Sequence, residues 1–107
     1  MIRKYKEVVC ADGFTMSVQA NRNAYCDPAI DSESLDLLRH KKYTLVEVGF
    51  PSKEEPLIMP WAEDKTSPTN TVYGYVPVDI VTNVIVKHGG IIEGEVPPGV
   101  IPVPRDD

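Results

Sequence analysis

Apolar and polar positions alternate with a period of two on both sides of the dipeptide Asp12-Gly13. Residues 4–11 and 14–20 therefore read as two strands, and the dipeptide suits a two-residue type I′ turn because glycine tolerates positive φ. Pairing outward from that turn sets Ala11 opposite Phe14, Val9 opposite Met16 and Glu7 opposite Val18. One face then carries Val9, Ala11, Phe14, Met16 and Val18, and the other Thr15, Ser17 and Gln19. Cys10 lies within the first strand and reads as a small core residue.

Alternation continues further along the chain. Residues 43–50 form a third predicted strand, with Val46, Val48 and Phe50 on one face and Leu45, Glu47 and Gly49 on the other. Residues 71–76 form another, with Tyr73 and Tyr75 sharing a face. The spacing then changes to that of a helix. Pro77 suits its first position, Ile80, Val81, Val84 and Ile85 fall on one side, and Gly89-Gly90 supplies a left-handed cap after Lys87 and His88. A shorter helix is predicted from Ser32, a capping residue, to about His40. Glu33 and Asp36 sit near its start, Arg39, His40 and Lys41 near its end, and Leu35 and Leu38 make a narrow apolar stripe. It reads as an insertion packed on an edge of the sheet.

Between these elements lie polar loops at residues 21–28 and 63–70, and a short apolar run at Leu57, Ile58 and Met59 ahead of Trp61. That tryptophan reads either as a core or rim anchor or as a stacking surface for a ligand. Residues 91–107 hold a short strand and, from about 97, an extended proline-rich tail that either crosses a partner subunit or stays loose.

These elements predict a single α+β domain over residues 1–107. It has a small antiparallel sheet with an N-terminal hairpin, one insertion helix and one C-terminal amphipathic helix followed by the tail. Composition agrees, with 42% hydrophobic and 25% charged residues, and ten prolines argue against a helical bundle. The net charge of −5 argues against a nucleic-acid polymer as partner, though two or three local cations suffice for a small anion. The absence of a secretory signal and of an apolar run near 18 residues leads to the expectation of a cytoplasmic protein with no membrane partner. Two cysteines, Cys10 and Cys26, are then free thiols.

Catalytic constellations are not legible. Serines, Cys26, His40 and His88 are present, but nothing groups them and no GxSxG elbow occurs. Gly89, Gly90 and Gly94 follow a helix instead of opening one, so they form no phosphate loop. Glu54-Glu55 and Glu63-Asp64 sit in loops as solvated pairs. Cysteine and histidine spacing gives no metal site, and no cofactor is expected. His88 reads as a cation at a helix C-terminus.

Several stretches nevertheless resemble small proteins of tailed phages: VVCADGFTMSVQA, NAYCDP, YTLVEVGFPSKEEPLIMPWAED, TNTVYGYVPVDIVTNVIVKHGG and GEVPP. Together they cover most of the chain outside residues 29–42. On these stretches the chain resembles the Thoeris anti-defence sponges of the first kind. That resemblance implies a viral anti-defence protein in the host cytoplasm that sequesters a cyclic nucleotide-derived immune signal without cleaving it. The signal would be a cyclic ADP-ribose isomer or a cyclic oligonucleotide. It also implies a homo-oligomer with ligand pockets at the interfaces. An arginine is expected after Tyr25-Cys26-x-Pro28; Ala29 stands there instead, so that phosphate contact is not carried over.

Binding a diphosphate takes cations and N–H donors, and a base takes an aromatic or apolar wall. Two groups of residues offer these. Asn21, Arg22, Asn23 and Tyr25 form one candidate wall, which reads equally as a solvated connection. Asn83, Lys87 and His88 at the helix end, with Arg105 from the tail, form the other. The competing expectations are a phage accessory or inhibitor protein acting through protein–protein contacts, and a nucleotide hydrolase dependent on a histidine.

Overall fold

The computed structural model describes residues 4–38 and 42–105. Five strands, β1 (Val8–Cys10), β2 (Thr15–Gln19), β3 (Leu45–Gly49), β4 (Val72–Pro77) and β5 (Ile91–Glu93), form one antiparallel sheet in the order β4-β3-β2-β1-β5. Among the described residues, one α-helix, α1 (Val78–Lys87), and two 3₁₀ helices, Ser32–Leu38 and Met59–Trp61, complete the α+β fold.

One face of the sheet is apolar and dry. Val8, Cys10, Met16, Val18, Val46, Val48 and Val76 are fully buried and cluster with Val81, Val84 and Ile85 of α1. Ile80 is only partly buried beside them. The other face presents Thr15, Ser17, Gln19 and Glu47, so the period-two pattern locates the core.

The hairpin register differs by one residue from the expected pairing. Val8, not Val9, faces Met16, and Val9 faces Thr15. A type I′ turn needs positive φ at both central residues, and here only Gly13 has it, at 93°. The loop consequently takes three residues. Cys10 and Phe14 close it through the Cys10 N–H donating to the Phe14 carbonyl at 2.8 Å, and the Gly13 N–H donates to the Cys10 carbonyl. Val8 and Cys10 become the inward residues of β1, and Ala11 is exposed.

Two further side chains leave their expected faces. Phe50 has φ 49° and is 55% exposed, because the left-handed backbone there ends the alternation begun by Val46 and Val48. Tyr73 is buried but Tyr75 is not, since the pairing shifts between Val46↔Val76 and Val48↔Tyr73. One extra residue of β4 is accommodated there as a bulge, with Tyr75 at φ 56°.

The helix ends as its sequence predicts. The Gly90 N–H donates to the Ile85 carbonyl and the Gly89 N–H to that of Val86, the paired bonds of a Schellman cap. The insertion is a 3₁₀ helix with Leu35 buried; the expected continuation through Arg39, His40 and Lys41 lies outside the described residues.

The described part of the tail does not stay loose but packs on its own chain. The Tyr43 N–H donates to the Pro98 carbonyl, Val100 is buried, and the Ile101 N–H donates to Thr82 Oγ1 of α1. Further on, the Ile91 N–H donates to the Val103 carbonyl, and the Arg105 N–H to that of Ile91. Residues 98–105 thus strap the helix and cover the outer edge of β5.

Candidate functional site

The bulge in β4 builds the most distinctive surface of the molecule. It releases the Tyr75 N–H from the ladder, and that group donates to the Tyr25 carbonyl at 2.9 Å. The Tyr25 N–H in turn donates to the Glu47 carboxylate of β3 at 3.2 Å. The 21–26 loop is thereby fastened to the polar side of the sheet. Gly74 makes the close approach practicable, because a Cβ at that position would lie 3.2 Å from Tyr25 Cβ.

The Tyr25 and Tyr75 rings come to 5.9 Å between centroids with their planes 32° apart. Trp61 arrives from the Met59–Trp61 turn, which the Ala62–Tyr73 bridge and the Glu63 N–H on the Val72 carbonyl hold against β4. Between them lies an open cleft of about 230 Å³ lined by Tyr25, Trp61, Ala62, Glu63, Gly74 and Tyr75. Half of Tyr75 is exposed there at 51%.

Of the first expected wall, only Tyr25 lines this cleft. Arg22 turns toward Asp31, its guanidinium 3.8 Å from Oδ2, while its backbone N–H donates to Oδ1 at 3.0 Å. Asn21 Oδ1 accepts the Asn23 N–H at 2.8 Å, and the Asn21 carbonyl accepts the Ala24 N–H and the Cys26 thiol. These polar groups shape the loop that presents Tyr25.

The second expected wall divides. Arg105 lines a separate groove of about 420 Å³ with Val86, Gly89, Gly90, Val103 and Pro104. Asn83 is exposed on the helix. Lys87 points elsewhere, its Nζ donating to Glu55 Oε2 at 2.9 Å. His88 is only 4% exposed and is not positioned to meet a ligand.

His88 instead joins three segments. Its Nδ1 lies 2.6 Å from Asp12 Oδ2 in the hairpin turn, and its Nε2 lies 2.7 Å from Glu55 Oε1. Its ring stacks on Phe14 with centroids 4.0 Å apart. Burial pushes the Glu55 carboxyl up, but the Leu57 N–H, Lys87 and His88 together outweigh that and hold it below its ordinary value. The Phe14 N–H, then His88, lower Asp12 in the same direction. An ionised carboxylate only accepts, and each nitrogen of the ring faces one. Burial raises the Cys10 thiol to about 11, so it stays protonated.

Among the described residues no group of histidine, cysteine, aspartate and glutamate side chains has metal-binding geometry. No helix among them is long and apolar enough to cross a membrane.

Trp61, Gly74 and Tyr75 were absent from the expected walls. A glycine inside a strand pattern signals a bulge or a close backbone approach, and Gly74 does both. Comparison with protein-family models, curated proteins and solved structures returns no match.

Proposed function

We propose that the protein is a non-enzymatic binding protein that sequesters a cyclic nucleotide-derived signal, as the resemblance to the anti-defence sponges implies. The observation that supports this reading is the cleft between Tyr25, Trp61 and Tyr75. Aromatic faces give a base a stacking surface worth about 1–3 kcal/mol per base. A cleft of about 230 Å³ falls short of the roughly 300–1,000 Å³ of a complete ligand site, so a second copy closes it. The phosphates need cations, which the described lining lacks and the second copy's surface supplies in a homo-oligomer. His88 supports the non-enzymatic part, because both its nitrogens are engaged by carboxylates and it is sealed from solvent.

The test is direct. Incubation with a cyclic ADP-ribose isomer should raise the melting temperature, and chromatography after heat denaturation should recover the ligand unchanged. Breakdown products would favour the hydrolase reading. Absence of a shift with every cyclic ADP-ribose isomer and cyclic oligonucleotide would discard the sponge reading.

A second reading, an accessory or inhibitor protein acting by protein–protein contact, is favoured by three exposed apolar side chains, Val86, Ile92 and Ile101. Val86 also lines the Arg105 groove. This reading predicts a stable complex with a host protein that Ile101→Asp abolishes, and indifference to small ligands.

A further inference from the structure

The charge of the cleft is one-sided. Three aromatic side chains surround it; among the described residues that line it, Glu63 carries the one full charge and none is lysine, arginine or histidine. Glu63 is exposed at the rim, and among the described residues its carboxylate has no ion pair or hydrogen bond. Only its backbone is engaged, donating to Val72. A second carboxylate, Glu47, sits behind Tyr25 and accepts its N–H.

Aromatic faces present the negative side of the ring quadrupole, and Glu63 adds a whole negative charge beside them. A phosphate placed there meets repulsion. A cation over those faces is attracted, most strongly by tryptophan and then by tyrosine. The shape narrows the choice further, because a shallow slot between tilted rings receives a flat group better than a long chain.

We infer that the cleft selects a positively charged heteroaromatic ring, an N-alkylated or protonated base, over its neutral counterpart, with Glu63 as the charge that determines specificity. This rests on the stacking reading of the cleft given above and adds the sign of the ring's charge. A neutral base stacks on the same three side chains but gains nothing from Glu63. The phosphates of a nucleotide ligand lie outside the slot, toward the closing copy.

Trp61 is the chain's one tryptophan, so its fluorescence reports on this cleft alone. The full chain is titrated in mildly acidic solution, where 7-methylguanosine keeps its N1 proton, with 1-methyladenosine against adenosine and with 7-methylguanosine against guanosine. In each pair the methylated base carries the positive charge. The cationic member should bind roughly three- to tenfold more tightly, and Glu63→Gln should remove that preference, so that the two members of each pair bind alike. Equal binding within both pairs overturns charge selection and leaves the stacking reading intact. A preference undiminished in Glu63→Gln overturns the role of Glu63. If tetramethylammonium binds as tightly as 1-methyladenosine, the requirement for a flat ring is overturned. No response to any nucleoside in fluorescence or calorimetry removes the stacking reading and this inference together.

Discussion

The Tyr75 N–H, freed from its ladder by a one-residue bulge, donates to the Tyr25 carbonyl at 2.9 Å. That single bond ties a loop to a strand about fifty positions away and brings two tyrosine rings to 5.9 Å, tilted by 32°, beside Gly74. Loop and strand therefore form one continuous surface, and on the proposed reading a change at their contact should alter binding before it alters folding.

Gly74 is the most economical place to make that change. Its added Cβ would sit 3.2 Å from Tyr25 Cβ and 3.4 Å from Tyr25 Cδ2, so Tyr25 must shift by a few tenths of an ångström or more. Gly74→Ala should weaken ligand binding about tenfold while lowering stability by less than about 1 kcal/mol. Ligand titration alongside urea denaturation checks both parts.

The hairpin register makes a second prediction. Val8 is fully buried and Val9 is not, although the sequence pattern had placed Val9 inward. Val8→Ala should cost about 1.5–3 kcal/mol and Val9→Ala well under half of that. Denaturant unfolding of the two variants distinguishes the registers, and the reverse ranking would restore the two-residue turn.

The bridge through His88 gives a third. Glu55 is buried, and a hydrogen bond to such a charged group contributes about 1.5–3 kcal/mol. Glu55→Gln leaves Lys87 and His88 facing a neutral amide, and should lower stability by roughly 3 kcal/mol. His88→Phe keeps the stacking on Phe14 but leaves Glu55 with only Lys87 and the Leu57 N–H, and should also destabilise. Chemical denaturation measures each change.

Acid sensitivity follows from the same bridge. Asp12 and Glu55 both titrate lower in the folded chain than in the unfolded one. Their stabilisation is complete above the unfolded carboxylate values, about 4, and is lost as pH falls through the lower folded values. The melting temperature should therefore drop steeply on acidification below about pH 4. Glu55→Gln should flatten that drop, as melting curves across the acid range would show.

Much of this architecture was legible in the sequence because it depends on period. Val46, Val48, Val81, Val84 and Ile85 were placed inward by spacing alone, and Gly89-Gly90 marked the helix end. What escaped depends on backbone conformations that spacing does not encode. Asp12-Gly13 permits a two-residue or a three-residue loop, and the choice depends in part on Asp12 reaching His88 and the Phe14 N–H. Phe50 and Tyr75 adopt left-handed φ as non-glycine residues, which alternation does not foresee. The candidate site was half visible. Tyr25 was singled out, but Arg22 is turned to Asp31, and Trp61 and Tyr75 join Tyr25 only through the bulge and the Ala62 bridge. Lys87 and His88 looked like surface cations at a helix end, yet their carboxylate partners, Asp12 and Glu55, come from distant segments.

The central claim is that a nucleotide-derived ligand is held on the rings of Tyr25, Trp61 and Tyr75. Calorimetric titration of a cyclic ADP-ribose isomer into the wild-type chain and into Tyr75→Ala tests it most directly. Saturable binding to the wild type, weakened at least about tenfold in the variant as loss of one stacking face requires, is the predicted result. Equal affinity in the two proteins, or no binding to the wild type, would contradict it.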